Sequence, residues 1–113
     1  MIVDDNAAVR AMMRRMLSKT VNDIRECSDG SEALDTYTRF HPDWVLMDIK
    51  MKEMDGFQAT EQILSKFPDA KIVMVTQYDE PTLRDRAYQV GACEYVLKEN
   101  LYCIEDIICG RKN

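Results

Sequence analysis

Five polar residues stand directly after apolar runs: Asp4 and Asp5 after Met1-Ile2-Val3, Asp48 after Trp44-Val45-Leu46-Met47, Thr76 after Ile72-Val73-Met74-Val75, and Lys98 after Tyr95-Val96-Leu97. Three carboxylates held close together raise one another's pKa unless a cation sits among them. Mg²⁺ suits such a set, because it takes oxygen ligands and commonly bridges one or two carboxylates to a phosphate. A lysine and a hydroxyl beside the same carboxylate would complete a phosphoryl site, the lysine neutralising charge and the hydroxyl donating a hydrogen bond. Asp48 is then the candidate nucleophile, since an aspartyl phosphate splits one difficult transfer into two easier ones. Singly, each residue has a plain reading as a turn, a helix start or a solvated side chain. Only their joint placement carries the chemistry, so the elements that place them decide the matter.

The chain alternates short apolar runs with helical periodicity. Asn6 can cap a helix whose Val9, Met12, Met13, Met16 and Leu17 fall at i, i+3, i+4, i+7 and i+8, a face packed on a core. Met1-Ile2-Val3 before it is short for a strand, as if the beginning of the strand were missing. Ile24 to Cys27 reads as the second strand, closed by the turn Ser28-Asp29-Gly30-Ser31, with Ala33, Leu34 and Tyr37 on the next helix. His41-Pro42-Asp43 breaks that helix, and His41 reads as a surface turn residue. The third run, 44–47, is apolar throughout, as in a strand covered on both faces. Phe57, Ile63, Leu64 and Phe67 mark the third helix. Pro81 opens a fourth that carries Leu83, Ala87 and Val90 and is capped by Gly91. Leu101, Ile104, Ile107 and Ile108 mark the fifth, before a polar tail, Gly110 to Asn113.

Strand-helix alternation with short loops predicts an α/β fold: a five-stranded parallel sheet with helices on both faces, joined by right-handed crossovers. In the flavodoxin-like order 2-1-3-4-5, ligands bind at the carboxyl edge where strand order reverses, which brings Asp4 and Asp5 beside Asp48, with Thr76 and Lys98 on its other side.

The 113 residues, 46% hydrophobic and 31% charged, predict one domain over 1–113 with its own core. Cys27, Cys93, Cys103 and Cys109 show neither C-x-x-C spacing nor a histidine cluster, so they read as reduced and mostly packed thiols. No apolar run approaches the roughly 20 residues that span a bilayer, and a cytoplasmic location is expected. A net charge of −5 argues against direct contact with nucleic acid, and Arg10, Arg14 and Arg15 read as a solvated face.

The motifs IVDDN at 2–6, LMDIKMKEMDG at 46–56, VMVTQY at 73–78 and GACEYVLK at 91–98 resemble a response regulator receiver domain, similar to the bacterial chemotaxis regulator fold, across essentially the whole chain. The resemblance implies that Asp48 accepts a phosphoryl group from a phosphohistidine on a sensor histidine kinase. It implies Mg²⁺ held by Asp5, Asp48 and the backbone carbonyl of Lys50, with Asp4 acting largely through water. Thr76 and Lys98 would hold the phosphoryl oxygens, and Tyr95 would be the aromatic whose rotation accompanies activation. The surface of the fourth helix, fifth strand and fifth helix, from about Pro81 to Gly110, would meet an output domain, a downstream protein, or a second copy in a homodimer formed on phosphorylation. Such a domain catalyses its own phosphorylation and dephosphorylation and turns over no independent substrate.

Three departures stand out. Lys50 replaces a frequent Asn, Lys52 a common proline, and Glu99 a proline that often follows the lysine across a cis bond, which without proline costs about 2.5–4 kcal/mol. The peptide geometry at Lys98-Glu99 is therefore open. Lys98-Glu99-Asn100-Leu101 resembles regulators whose receiver precedes a helix-turn-helix DNA-binding domain, a resemblance that implies a chain excised from a longer regulator. Haloacid-dehalogenase-type phosphatases place their nucleophile in an Asp-x-Asp after the first strand, unlike Asp4-Asp5-Asn6, and a flavin-phosphate carrier would be repelled by that acidic loop. The serious alternative is a receiver-like interaction module that works without phosphorylation.

Overall fold

The computed structural model describes residues 1–110. The end of the polar tail, residues 111–113, lies outside the described residues. Five strands, β1 (Ile2–Val3), β2 (Glu26–Cys27), β3 (Val45–Met47), β4 (Ile72–Thr76) and β5 (Glu94–Leu97), alternate with five helices, α1 (Ala7–Leu17), α2 (Ala33–Phe40), α3 (Gly56–Lys66), α4 (Pro81–Gln89) and α5 (Tyr102–Cys109). The sheet is parallel throughout, in the expected order β2-β1-β3-β4-β5. Ile24 and Arg25 lie before β2 rather than in it, and β1 keeps only two ladder residues.

Alternation along each strand builds two cores. Val3, Met47 and Met74 face α2, α3 and α4, where they meet Tyr37, Phe57, Ile63 and Ala87. Ile2, Leu46, Val73, Val75 and Val96 face α1 and α5, against Met13, Leu17 and Ile104. A side chain as deeply buried as Phe57 contributes about 1.5–3 kcal/mol through the area it removes from water.

Local chemistry sets the helix ends. Asn6 accepts the N–H groups of Ala8 and Val9 at 2.9 and 3.1 Å, which fixes the start of α1. Asp55 and Gln58 form a reciprocal capping box on α3. Pro81 opens α4, and Gly91, at φ +108°, follows its end. His41 closes α2 in the left-handed conformation, exposed, with its ring edge-on to Tyr37 and Phe67, so its place is the turn foreseen for it.

Three expectations need correction. Met12 is 41% exposed rather than in the core, because it sits at the margin of the stripe centred on the buried Met13 and Leu17. Cys27 is buried and Cys103 half-buried, but Cys93 and Cys109 are exposed, one beyond Gly91 before β5 and the other on the last residue of α5. Arg10 and Arg14 are not simply solvated: both pair with Glu26 at 3.0 and 2.5 Å, tying α1 to β2.

Candidate functional site at the carboxyl edge

The ladder positions the acids before any side chain acts. The Asp4 N–H donates to the Cys27 carbonyl at 3.1 Å and the Asp48 N–H to the Val3 carbonyl at 2.8 Å, so both residues continue the central sheet past its last paired residues. Asp4 is wholly buried. Its Oδ1 accepts the Asn6 N–H at 2.8 Å, and its carbonyl accepts a guanidinium N–H of Arg10 at 2.7 Å. Asp5 points to solvent. Carboxylate oxygens of Asp4, Asp5 and Asp48 all lie within 4.8 Å of one another.

Lys98, first residue of a 3-10 turn running to Asn100, crosses from β5 to this cluster. Its ammonium lies 2.9 Å from Asp4 Oδ2 and 3.5 Å from Asp48 Oδ1. The Asp4 contact is a short charge-assisted pair, and through it the Lys98 ammonium neutralises the buried Asp4 Oδ2. Burial alone would lower the Lys98 pKa, but the two aspartates outweigh it and raise it. Every peptide bond among the described residues is trans, including Lys98-Glu99, which settles the open geometry there.

Asp48 is 6% exposed, and its pKa is pushed up to about 6. Burial is the main cause and the Asp4 charge the next, opposed by Lys98 and by the Ile49 N–H that donates to Oδ1 at 2.9 Å. Thr76 ends β4 fully buried, its hydroxyl oxygen accepting the Tyr78 N–H at 3.2 Å. Tyr95 already lies inward, 6% exposed, and donates its hydroxyl to the Tyr78 carbonyl at 2.6 Å beneath the Arg84 guanidinium. The Lys50 ammonium rests 4.1 Å over the Tyr78 ring, an arrangement that spacing along the chain gave no sign of.

Gly56 shows how closely the site is backed. A Cβ there would fall 2.0 Å from the Asp48 carbonyl oxygen, so only glycine lets α3 start directly behind this residue. The Gly56 N–H donates to the Ile49 carbonyl at 2.7 Å and closes the base of the intervening loop. The donor set is all oxygen, crowded and negative; it fits a hard divalent cation. A separate cavity of about 200 Å³, lined by Met1, Leu17, Trp44 and Ile108 among others, includes none of these residues.

Residues 1–103 match the family model described as the response regulator receiver domain. The chain belongs to this family. It is 39% identical over 101 residues to the response regulator protein VraR of Staphylococcus saprophyticus, covering 87% of this chain and 48% of the relative. It is 33% identical over 99 residues to the chemotaxis protein CheY of Thermotoga maritima, covering 87% and 82% respectively. Among solved structures, the receiver of the putative response regulator NarL from Mycobacterium tuberculosis superposes with a TM-score of 0.85 at 28% identity, over 99% of this chain and 94% of that one. The chain spans about half the length of several of the curated relatives it matches. As a receiver it is a signalling module of two-component systems. No helix among the described residues is long and apolar enough to cross a membrane.

Proposed function

We propose that the chain is the phospho-accepting receiver of a cytoplasmic response regulator, with Asp48 taking a phosphoryl group from a phosphohistidine of a sensor histidine kinase. A carboxylate oxygen of Asp48 forms the new bond to phosphorus while the phosphorus–nitrogen bond breaks, and the imidazole leaves with the electron pair. With a pKa of about 6, Asp48 is roughly nine-tenths ionised at pH 7 yet more basic than an ordinary carboxylate, a useful combination in a nucleophile. Lys98, already paired to Asp48, neutralises charge on the phosphoryl oxygens, and the buried Thr76 hydroxyl donates to one of them.

Asp5, Asp48 and the Lys50 carbonyl would hold Mg²⁺, with Asp4 acting through water and anchoring Lys98. The ion supplies further positive charge at the phosphoryl group. The clustering of the Asp4, Asp5 and Asp48 carboxylates, with the Lys98 ammonium against Asp4 and Asp48, is the observation that carries this reading.

The new charge on Asp48 then biases the face built by α4, β5 and α5, through Thr76, Tyr78 and Tyr95. Tyr88 and Tyr102, 45% and 70% exposed, give that face the aromatic character of a contact surface for an output domain, a downstream protein or a second copy. Relatives named transcriptional regulatory proteins, of which this chain spans about half or less, support an output in transcription regulation.

The test is incubation with Mg²⁺ and acetyl phosphate, followed by intact mass. The parent is expected to gain one acid-stable, base-labile phosphoryl group and Asp48→Asn none. Equal labelling of both refutes the assignment, and a parent that never labels from acetyl phosphate or a cognate kinase favours the phosphorylation-independent module.

A further inference from the structure

The loop between Asp48 and Gly56 contains no proline, yet it must hold the Lys50 carbonyl still. Its base is closed by the Ile49–Gly56 hydrogen bond, while its crest is fastened from outside, by the turn after β2. Asp29 Oδ1 accepts the Glu53 N–H at 3.0 Å, and Oδ2 accepts the Met54 N–H at 3.1 Å together with the Ser31 N–H at 2.9 Å. Ser31 adds a hydroxyl donation to the Glu53 carboxylate at 3.1 Å. Beside it, Gly30 lets the loop come closer than any side chain would permit, since a Cβ there would lie 2.4 Å from the Met54 carbonyl oxygen. Two independent contacts, a carboxylate clamp on Glu53 and Met54 and a bare backbone against Met54 and Asp55, thus press on the crest of the loop and meet at Met54.

We propose that Asp29 is a positioning residue for the cation and phosphoryl site: it fixes the 49–55 loop so that the Lys50 carbonyl and Asp48 are presented together. This rests on the function proposed above. The hydrogen bonds that Asp29 accepts come from Ser31, Glu53 and Met54, not from the residues of the acidic cluster. Asp29 acts on the loop alone, by giving two consecutive N–H groups an ionised acceptor, which rigidifies a segment whose own residues do not. Replacing it by Asn removes the charge and sets an amide N–H₂ against N–H donors.

The experiment uses the 113-residue chain and Mg²⁺ alone as the probe, with calorimetric titration and amide hydrogen exchange at residues 49–54. In Asp29→Asn the exchange of these amides should quicken and the Mg²⁺ dissociation constant should rise on the order of 10-fold. Gly30→Ala, which reaches the loop through the other contact, should act in the same direction and serves if the first variant does not fold. Ile104→Val, which lowers stability from the far core, should leave the affinity at the parent's value. A folded Asp29 or Gly30 variant that binds Mg²⁺ as the parent does overturns the proposal, as does an equal loss in Ile104→Val. A parent that neither binds Mg²⁺ nor labels at Asp48 overturns the underlying function instead, and the inference falls with it.

Discussion

Asp29 and Asp48 are both aspartates just past a strand, 8% and 6% exposed, yet the first is held down at about 2 and the second pushed up to about 6. Burial raises both. At Asp29, three backbone N–H groups from Ser31, Glu53 and Met54, together with the Ser31 side chain, more than reverse it. Asp48 has one such donor and two like charges nearby, so Lys98 corrects only part of the cost. Donor supply, then, separates a carboxylate satisfied by its own chain from one left with bonding capacity for a ligand.

The contrast breaks most completely at Asp48→Asn. Phosphoryl uptake should vanish, and stability at pH 7 should rise by about 2–3 kcal/mol because a raised-pKa carboxylate is a penalty when ionised. The sign follows from the titration. Between 3.8, the unfolded value, and about 6, the folded parent holds more protons than the unfolded chain, so its stability falls as pH rises through that window. Urea denaturation at pH 4.5 and 7 should show this fall in the parent and not in the variant; adding Mg²⁺ should reduce it.

Lys98→Ala should slow uptake by about 10²-fold and carry the Asp48 titration, followed by carboxyl NMR, further above its parent value. Asp29→Asn should cost about 1–3 kcal/mol in urea, because two loop N–H groups lose a good acceptor. Its lowered pKa makes the contribution present above 3.8 and lost as pH falls towards 2, so parent and variant should converge in acid. The smallest effect belongs to Lys50→Ala, which removes the ammonium from the Tyr78 ring and should change stability by about 0.5–1 kcal/mol, while altering the dephosphorylation rate measured from the labelled protein.

Much of this was legible in the sequence because buried parallel strands leave an unbroken apolar signature. Val45-Leu46-Met47 ending at Asp48, and Ile72 to Val75 ending at Thr76, mark both the elements and the edge where polar residues emerge. The strand order brought Asp4 and Asp48 together on paper, and the Val3 carbonyl does so in the fold. What escaped depends on contacts between loops. Asp29 before Gly30 reads as an ordinary turn, and nothing in its spacing from Glu53 and Met54, 24 and 25 residues on, announces a clamp. Met12 was misplaced because helical periodicity gives the direction of a stripe more surely than its width. The inward Tyr95 is likewise beyond periodicity, since its place depends on a carbonyl 17 positions away.

The exposed thiols of Cys93 and Cys109 bracket β5 and α5, the elements through which the aspartyl switch would be read. A maleimide dye or nitroxide at each would give a molecular ruler across that face without engineering a new attachment point. With Cys27 buried and Cys103 half-buried, brief modification under native conditions should favour the two outer positions.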